Sequence, residues 1–457
     1  MRRKWNGGGL ARGEPLVGTM GNRENVDLVG RSLVPRIPPV PHRMPQQIFT
    51  HTYSNGLTLL VESMAGVQSA AFSLLLPCGS NDDPLGRPGA ASILCDWITR
   101  GAGELDSVEL TNALDNLGVQ RSEGVGNTHL SLGGAMLAQK LPEVLALYAS
   151  IIRQPHLPDE EFEAARLGVE QSLRSLEDEP RQKVMVELRR RCYPEPWSWP
   201  TEGTLEGIAA LDAGQVREQY QRTARPSGAI LGIAGRVDFE QVREQVGELL
   251  GDWGDKPVVP WSGGERGPRS DHLHQESTQT QIGIAFPAVP YRDPDYYAAW
   301  GVVNVLSGGM SSRLFTEVRE KRGLCYSVYA TLHSLRDQAQ VLCYAGTSAD
   351  RAQETLDVTL RELVRVTEGI GEDELRRCQA GAKSSLIMQQ ESSASRASSL
   401  ARDWYHLGRV TTLEEVRGQI ESLTVPRLLD YLRRHPPRDF TVLTLGPGPL
   451  EVPREFL

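Results

Sequence analysis

The chain has 457 residues, more than one ordinary domain, and at about 150 residues per domain this length predicts two or three units. Hydrophobic residues make up 39% of the chain and charged residues 23%, a composition that excludes a disordered protein. The net charge of −9 argues against a surface that binds nucleic acid phosphates, and no apolar run is long enough to span a membrane.

The N-terminal segment, residues 1–45, is rich in Gly, Arg and Pro, which predicts a flexible arm without a packed core. Its start, "MRRKWNGGGL", lacks the apolar run of an export signal, so we expect a cytoplasmic protein. The six cysteines are scattered without a CxxC pair. They therefore indicate neither a disulfide framework nor a zinc knuckle.

The first ordered elements are predicted as a β-hairpin, a strand and a helix. The turn Asn55-Gly56 lies between alternating apolar residues, and the strand "SAAFSLLLPCGS" follows it. The next segment, Gly89–Gly101, reads "GAASILCDWITRG" and has the pattern of a helix start. It places Ser92, Cys95 and Asp96 on one helical face. A hydroxyl, a thiol and a carboxylate on one turn of an apolar helix form a candidate site.

The sequence contains an internal repeat, in which segments of the first half recur in the second half about 212 residues later. The segment "LPDEEFEAARLGVEQSL" matches "IGEDELRRCQAGAKSSL", and "IAALDAGQV" matches "IESLTVPRL". In each half the second of these segments is followed by a strand that ends in glycine, "AILGIAG" and "FTVLTLG". The repeat predicts two homologous α+β domains, each a largely antiparallel sheet with helices packed on one face.

The predicted boundary between these domains is a linker at residues 252–272. The segment "GDWGDKPVVPWSGGERGPRS" is rich in Gly, Pro and charge, which is typical of a linker. The N-terminal domain is therefore predicted at residues 46–251 and the C-terminal domain at residues 273–457.

Two weaker patterns are more typical of structural residues than of a site. The sequence "DHLHQ" offers His272 and His274 at HxH spacing but has no third ligand nearby. The sequence "PEPWSWP" contains Trp197 and Trp199, which could form an aromatic patch that faces a partner.

From Phe49 to about Leu445 the chain resembles the pitrilysin/insulinase family of zinc peptidases, in particular its processing-peptidase branch. The motifs that carry the resemblance are "LLLPCGSNDDP", "GAAS", "TRGAG", "LEDEP", "LGIAG" and "MSSRLFTEVREKRGLCYSVYA". The resemblance implies the fold of that family, two α+β domains of the LuxS-like metallohydrolase type joined by a linker.

Active members of that family carry HxxEH, in which two histidines bind zinc and the glutamate is the general base. Aligned on "GAAS" and "TRG", Ser92 and Asp96 stand at the histidine positions and Cys95 at the position of the base. The third ligand of the family, a glutamate, corresponds to Ser172, and Glu170 points in the wrong direction to replace it. The resemblance implies that this chain binds no metal and has no catalytic residue of its own.

A second feature of partnered members is an Arg and a Tyr, seven residues apart, that bind the scissile carbonyl in the active site of the other subunit. Arg319 and Tyr326 match this pair in "VREKRGLCY". A guanidinium and a phenol are suitable donors for a carbonyl oxygen that becomes negative. Without the resemblance, the same residues would be read as a solvated helix end and an ordinary strand tyrosine.

The resemblance implies a non-catalytic, substrate-binding subunit of a zinc-dependent processing-type peptidase complex that acts on peptides or unfolded segments. A homologous HxxEH-bearing partner would supply the zinc, in a heterodimer or heterotetramer, and no nucleic acid or membrane partner is expected. The alternative is a structural or peptide-binding protein with no proteolytic role. A third hypothesis is an independent peptidase with a metal site built from Ser92, Cys95 and Asp96, but a serine hydroxyl is a poor zinc ligand.

Overall fold

The first half of the chain forms a six-stranded sheet in the computed structural model, which describes residues 46–456. Its strands are β1 (Gln47–Thr52), β2 (Thr58–Ser63), β3 (Ser69–Pro77), β4 (Gln120–Val125), β5 (His129–Leu137) and β6 (Ile230–Gly235). The order across the sheet is β1-β2-β6-β3-β5-β4, and every neighbouring pair is antiparallel except β2 with β6. The predicted hairpin is confirmed, since Asn55-Gly56 lies in the turn between β1 and β2 and Gly56 has a φ of +90°. The predicted arm, residues 1–45, lies outside the described residues.

The second half forms a five-stranded sheet with the same topology. Its strands are β7 (Ser270–His274), β8 (Gln279–Ala288), β9 (Cys325–Ser334), β10 (Ala339–Ser348) and β11 (Thr441–Gly446). The order is β7-β11-β8-β10-β9, and only β7 and β11 run parallel. It reproduces the order and directions of β2-β6-β3-β5-β4 in the first sheet. The prediction of two homologous α+β domains with largely antiparallel sheets is therefore confirmed. Residues 254–265, within the predicted linker, have no regular secondary structure.

Helices cover both sheets. Those of the first half are α1 (Ala90–Trp97), α2 (Ser107–Asn116), α3 (Leu141–Arg153), α4 (Asp159–Glu177), α5 (Pro180–Cys192), α6 (Leu205–Ala209), α7 (Ala213–Thr223) and α8 (Phe239–Leu250). Those of the second half are α9 (Tyr296–Ser307), α10 (Ala352–Arg365), α11 (Glu372–Gln390), α12 (Ser393–Leu407), α13 (Leu413–Glu421) and α14 (Val425–Arg434). One turn of π-helix spans Phe315–Glu320. Among residues 46–456, no helix has both the length and the apolar character needed to cross a membrane.

Each sheet also receives one helix from the opposite half of the chain. The equivalent helices of the repeat, α5 and α12, make this exchange: α5 packs on the second sheet and α12 on the first. The buried residues of the α5 contact are Val184, Leu188, Cys192, Tyr193, Ala285, Leu342, Tyr344, Leu443 and Leu445. Those of the α12 contact are Leu60, Ala71, Ile230, Ala234, Ala397, Leu400 and Ala401. The exchange buries apolar area between the halves and joins them in one compact unit.

Close packing of α12 on the first sheet depends on a glycine and a buried ion pair. A Cβ at Gly232 on β6 would lie 2.5 Å from the backbone oxygen of Ala397, so only glycine allows this approach. Nearby, Nε of Arg396 on α12 donates to Oε2 of Glu62 on β2 at 2.8 Å. These contacts fix the position of α12 across the domain boundary.

Candidate functional site

The start of α1 is held by a buried carboxylate that precedes the helix in sequence. Asp83 accepts hydrogen bonds from the backbone nitrogens of Gly89 at 2.6 Å and Ala91 at 2.8 Å, which would otherwise lack partners at the helix N-terminus. Gln219 on α7 donates to the same carboxylate at 3.1 Å. These bonds orient the α1 face that carries the predicted site residues. Sequence reasoning did not single out Asp83 in "GSNDDP".

The four positions assigned to a lost zinc site line one cavity of about 1420 Å³. Ser92, Cys95 and Asp96 reach it from α1, and Ser172 reaches it from α4. Residues of β9 and β10 in the second sheet, including Tyr329, form the opposite wall. The fold thus brings together residues about 76 positions apart in sequence, as expected for the α1 and α4 segments of one site.

Two of the three α1 side chains form polar contacts within the chain. Ser92 donates its hydroxyl proton to the backbone oxygen of Thr201 at 2.7 Å. Oδ1 of Asp96 accepts from Nε of Arg100 at 2.5 Å, and Arg100 also contacts Glu161 at 3.2 Å. The Ser92 hydroxyl and one oxygen of the Asp96 carboxylate are therefore already hydrogen-bonded within the chain.

Two further side chains complete this face of the cavity. Ser172 donates to the backbone oxygen of Gly168 on its own helix at 3.1 Å. Burial, with the charges of Glu123 and Asp96, raises the pKa of the Cys95 thiol to about 12, so it carries its proton near neutral pH. Glu170 is paired with Arg174 at 2.7 Å and is not among the residues that line the cavity.

The residues present fit a zinc ion poorly. Zinc prefers three or four thiolate, imidazole or carboxylate ligands, whereas the face carries two engaged hydroxyls, a protonated thiol and a carboxylate already bound to a guanidinium. Across residues 46–456, no group of three His, Cys, Asp or Glu side chains is arranged to hold a metal. The geometry supports local packing of small polar groups rather than metal chemistry.

Arg319 and Tyr326 both belong to the second half of the chain and lie outside the cavity lining. Arg319 is exposed on the π-helical turn, with its guanidinium 4.7 Å from the ring centroid of Phe315. Tyr326 lies near the start of β9, is 50% exposed and donates its hydroxyl to the side-chain oxygen of Gln279. The positive charge of Arg319 acts on the neighbouring Cys325, whose thiol pKa burial nonetheless raises to about 11. Both side chains are therefore accessible at the surface.

The wall formed by the second sheet carries an arginine that sequence reasoning missed. Arg181, at the start of α5, lines the cavity with its Cζ 4.8 Å from the ring centroid of Tyr329 and 5.4 Å from that of Tyr344. The residue follows directly on the motif "LEDEP". Its stacking partners lie in the other half of the chain, so no local pattern could reveal them.

The two weaker sequence candidates have ordinary structural partners. His272 lies on β7 with Nδ1 2.9 Å from the hydroxyl of Thr444, and His274 lies 3.2 Å from the carboxylate of Glu276. The ring of Trp197 packs edge-on against Trp261, with centroids 5.5 Å apart.

Comparison with known proteins identifies the family. Residues 58–203 match the model of the insulinase family (peptidase family M16), and residues 210–382 match the model described as the peptidase M16 inactive domain. A protein called an uncharacterized zinc protease in Mycobacterium tuberculosis (strain ATCC 25618 / H37Rv) is 27% identical over 406 residues, which cover 87% of this chain and 92% of that protein.

Two solved structures share the fold. One is the peptidase M16 inactive domain from Pseudomonas fluorescens, with a TM-score of 0.80, 19% identity and coverage of 89% of this chain and 99% of that one. The other is a chain of complex III2 from Candida albicans, with a TM-score of 0.76, 17% identity and coverage of 88% and 96%. The two family matches, at residues 58–203 and 210–382, show that the chain belongs to the insulinase family of peptidases (peptidase family M16), as a member without HxxEH.

Proposed function

We propose that the chain is a non-catalytic, substrate-binding subunit of a zinc-dependent processing-type peptidase that acts on peptides or unfolded segments. A homologous partner with HxxEH would hold the zinc, and the metal would activate the water that attacks the peptide bond. The complex would be a heterodimer or heterotetramer, and we propose a cytoplasmic location. The observation that carries the proposal is that Arg319 and Tyr326 remain accessible at the family's spacing, although the chain's own zinc positions hold Ser92, Asp96 and Ser172.

The surroundings of Tyr326 suit a residue that binds a peptide carbonyl. Its hydroxyl donates to the side-chain amide oxygen of Gln279, which is chemically the same acceptor as the oxygen of a peptide bond. A substrate carbonyl can therefore take the place of Gln279 with no change in the type of hydrogen bond. In the proposed site Arg319 is the second, positively charged donor, and both donors gain strength as the carbonyl oxygen becomes negative in the transition state.

The cavity supports a role in holding substrate. It has a volume of about 1420 Å³ and is lined by polar and apolar side chains from both halves of the chain. A volume above the usual range of about 300–1,000 Å³ for small-molecule sites suits an extended peptide better than a metabolite. In the proposed complex this cavity would form one part of an enclosed peptide-binding chamber.

Mixing the chain with its partner tests the proposal. The chain is co-expressed with a homologous protein that carries HxxEH, and cleavage of an unfolded peptide is measured for each chain alone and for the mixture. We expect the two proteins to co-purify and the mixture to cleave faster than either chain alone.

A second candidate function is a structural role in a larger assembly, because a chain of complex III2 shares the fold. The mixing experiment separates the two candidates. Stable association with the partner without any change in its rate of cleavage would favour the structural role.

A further inference from the structure

Arg181 differs from the other arginines that line the cavity, because its guanidinium contacts aromatic rings instead of a carboxylate. The exchange of α5 onto the second sheet lays this side chain over two tyrosine rings, at 4.8 Å from Tyr329 and 5.4 Å from Tyr344. Stacking on aromatic faces fixes the plane of a guanidinium and leaves the N–H groups at its edge free to donate. Arg181 is exposed on the cavity side, so these donors point to space that a ligand can reach.

The other arginines of the cavity are paired with carboxylates. The pairs are Arg100 with Asp96 at 2.5 Å, Arg189 with Glu202 at 3.3 Å and Arg121 with Glu123 at 4.0 Å. No carboxylate oxygen within residues 46–456 lies within 4.0 Å of a nitrogen of Arg181, and its side chain makes no hydrogen bond to any of these residues. Arg181 is also the second residue of α5, where the partial positive charge of the helix N-terminus adds to its own.

A series of side-chain hydrogen bonds connects the ring platform under Arg181, formed by Tyr329 and Tyr344, with Tyr326. The hydroxyl of Tyr344 donates to Gln281 at 2.5 Å, and the amide of Gln281 donates to the side-chain oxygen of Gln279 at 3.4 Å. The same oxygen accepts the hydroxyl proton of Tyr326. The ring platform under Arg181 and the phenol of Tyr326 therefore lie on one face of the second sheet, within reach of a single extended peptide.

We propose that Arg181 is a specificity-determining residue that binds a carboxylate of the peptide, either an acidic side chain or the free C-terminus. The inference rests on the proposed function, since it names the class of peptide that the cavity prefers. A guanidinium held over the two rings can donate two parallel N–H bonds to a carboxylate. A basic side chain at the same position would be repelled.

Four labelled peptides test this assignment by fluorescence anisotropy with the purified full chain. Three are amidated and differ only at one central residue, which is Glu, Gln or Lys. The fourth has the Gln sequence with a free C-terminal carboxylate. We expect the Glu peptide or the free-carboxylate peptide to bind about tenfold more tightly than the amidated Gln peptide, since a charge-assisted hydrogen bond contributes about 1.5 kcal/mol. Whichever of the two binds more tightly identifies the source of the carboxylate.

Substitutions then assign the preference to one side chain. Arg181→Ala is expected to make the four affinities equal, and Arg181→Lys to retain part of the preference because it keeps the charge without the planar fork. Arg190→Ala is the matched control, because Arg190 lies on the same helix, pairs with Glu187 and is outside the cavity lining. Thermal melting followed by circular dichroism checks that each variant is folded.

The possible failures are distinguishable. Equal binding of all four peptides to the wild-type chain, or a carboxylate preference that survives Arg181→Ala, would overturn the subsite and leave the peptide-binding function in place. Failure of every peptide to bind would contradict the proposed function and, with it, the subsite.

Discussion

The carboxylate of Asp96 accepts a hydrogen bond from Nε of Arg100 at 2.5 Å, one helical turn further along the chain. When the motifs "GAAS" and "TRG" are aligned with the family, Asp96 corresponds to the second histidine of HxxEH. The carboxylate is thus held by an arginine that also contacts Glu161 at 3.2 Å on α4. These ion pairs link the α1 segment to α4.

Restoring the ligands of the family should create a zinc site. We expect Ser92→His, Asp96→His and Ser172→Glu together to bind zinc at least about 100-fold more tightly than the wild-type chain, because histidines at i and i+4 share one face. Zinc titration in competition with a chelator gives the affinities. The variant without Ser172→Glu should bind more weakly than the full set. Equal zinc affinity of the wild-type and triple-substituted chains would show that these positions are not the family's ligand positions.

The buried ion pair between the halves is expected to be sensitive to the loss of one partner. The side chains of Arg396 and Glu62 are only 4% and 5% exposed. Arg396→Met leaves the carboxylate buried without its cation and should lower the free energy of unfolding by about 3–5 kcal/mol, measured by urea denaturation. Adding Glu62→Leu should recover much of this loss, since both charges are then gone.

An exposed pair provides the comparison for this measurement. Arg433 and Asp430 form an ion pair on α14 with most of both side chains in solvent. Arg433→Ala should change the free energy of unfolding by less than about 0.5 kcal/mol. A loss at Arg396 as small as that at Arg433 would contradict the view that this pair holds α12 on the first sheet.

Cys95 should be inert towards alkylation although it faces a large cavity. Burial raises the pKa of its thiol to about 12, so at pH 8 it forms about a thousandfold less thiolate than an ordinary cysteine. Mass spectrometry after brief treatment with iodoacetamide should find Cys95 unmodified in the folded protein and modified after unfolding in urea. Rapid labelling of folded Cys95 would show that the thiol has access to solvent and a lower pKa.

The stability of the chain should depend on pH through histidines with a lowered pKa, such as the half-buried His129. Burial, with the charges of Arg225 and Arg336, lowers the pKa of His129 to about 4, below the ordinary value of 6.5. As pH falls from 6.5 to 4 the unfolded chain takes up this proton before the folded chain does, so the free energy of unfolding decreases. Its pH slope in this window should be smaller in His129→Asn by up to about 1.4 kcal/mol per pH unit, the contribution of one proton. An unchanged slope in thermal or urea unfolding would contradict this assignment.

Local patterns were sufficient to predict much of the fold. The Asn55-Gly56 turn, the strand β3 and the start of α1 follow from short sequence signals, and the repeat predicted two domains with one topology. The register of the family also placed Ser92 and Ser172 at positions that line one cavity in the structure.

The exchange of α5 and α12 could not be predicted from such signals. The apolar residues Val184 and Leu188 show that α5 buries one face, but this pattern does not say which sheet receives it. Arg181 was missed for the same reason. Its contacts with Tyr329 and Tyr344 form only when α5 packs on the sheet of the other half. The tertiary arrangement, rather than the local sequence, creates this part of the candidate site.

The rate of peptide cleavage by the mixed complex tests the central claim most directly. It compares wild-type chain with Arg319→Ala and Tyr326→Phe, each added in excess to the HxxEH-bearing partner. Lys321→Ala is the matched control, since Lys321 lies beside Arg319 and pairs with Glu317 at 2.7 Å. We predict that each of the two substitutions lowers kcat at least about tenfold, because each removes a donor to the carbonyl oxygen in the transition state, and that Lys321→Ala leaves it unchanged. A rate that does not rise when the wild-type chain is added, or that is the same with Arg319→Ala and Tyr326→Phe as with wild type, would contradict the claim.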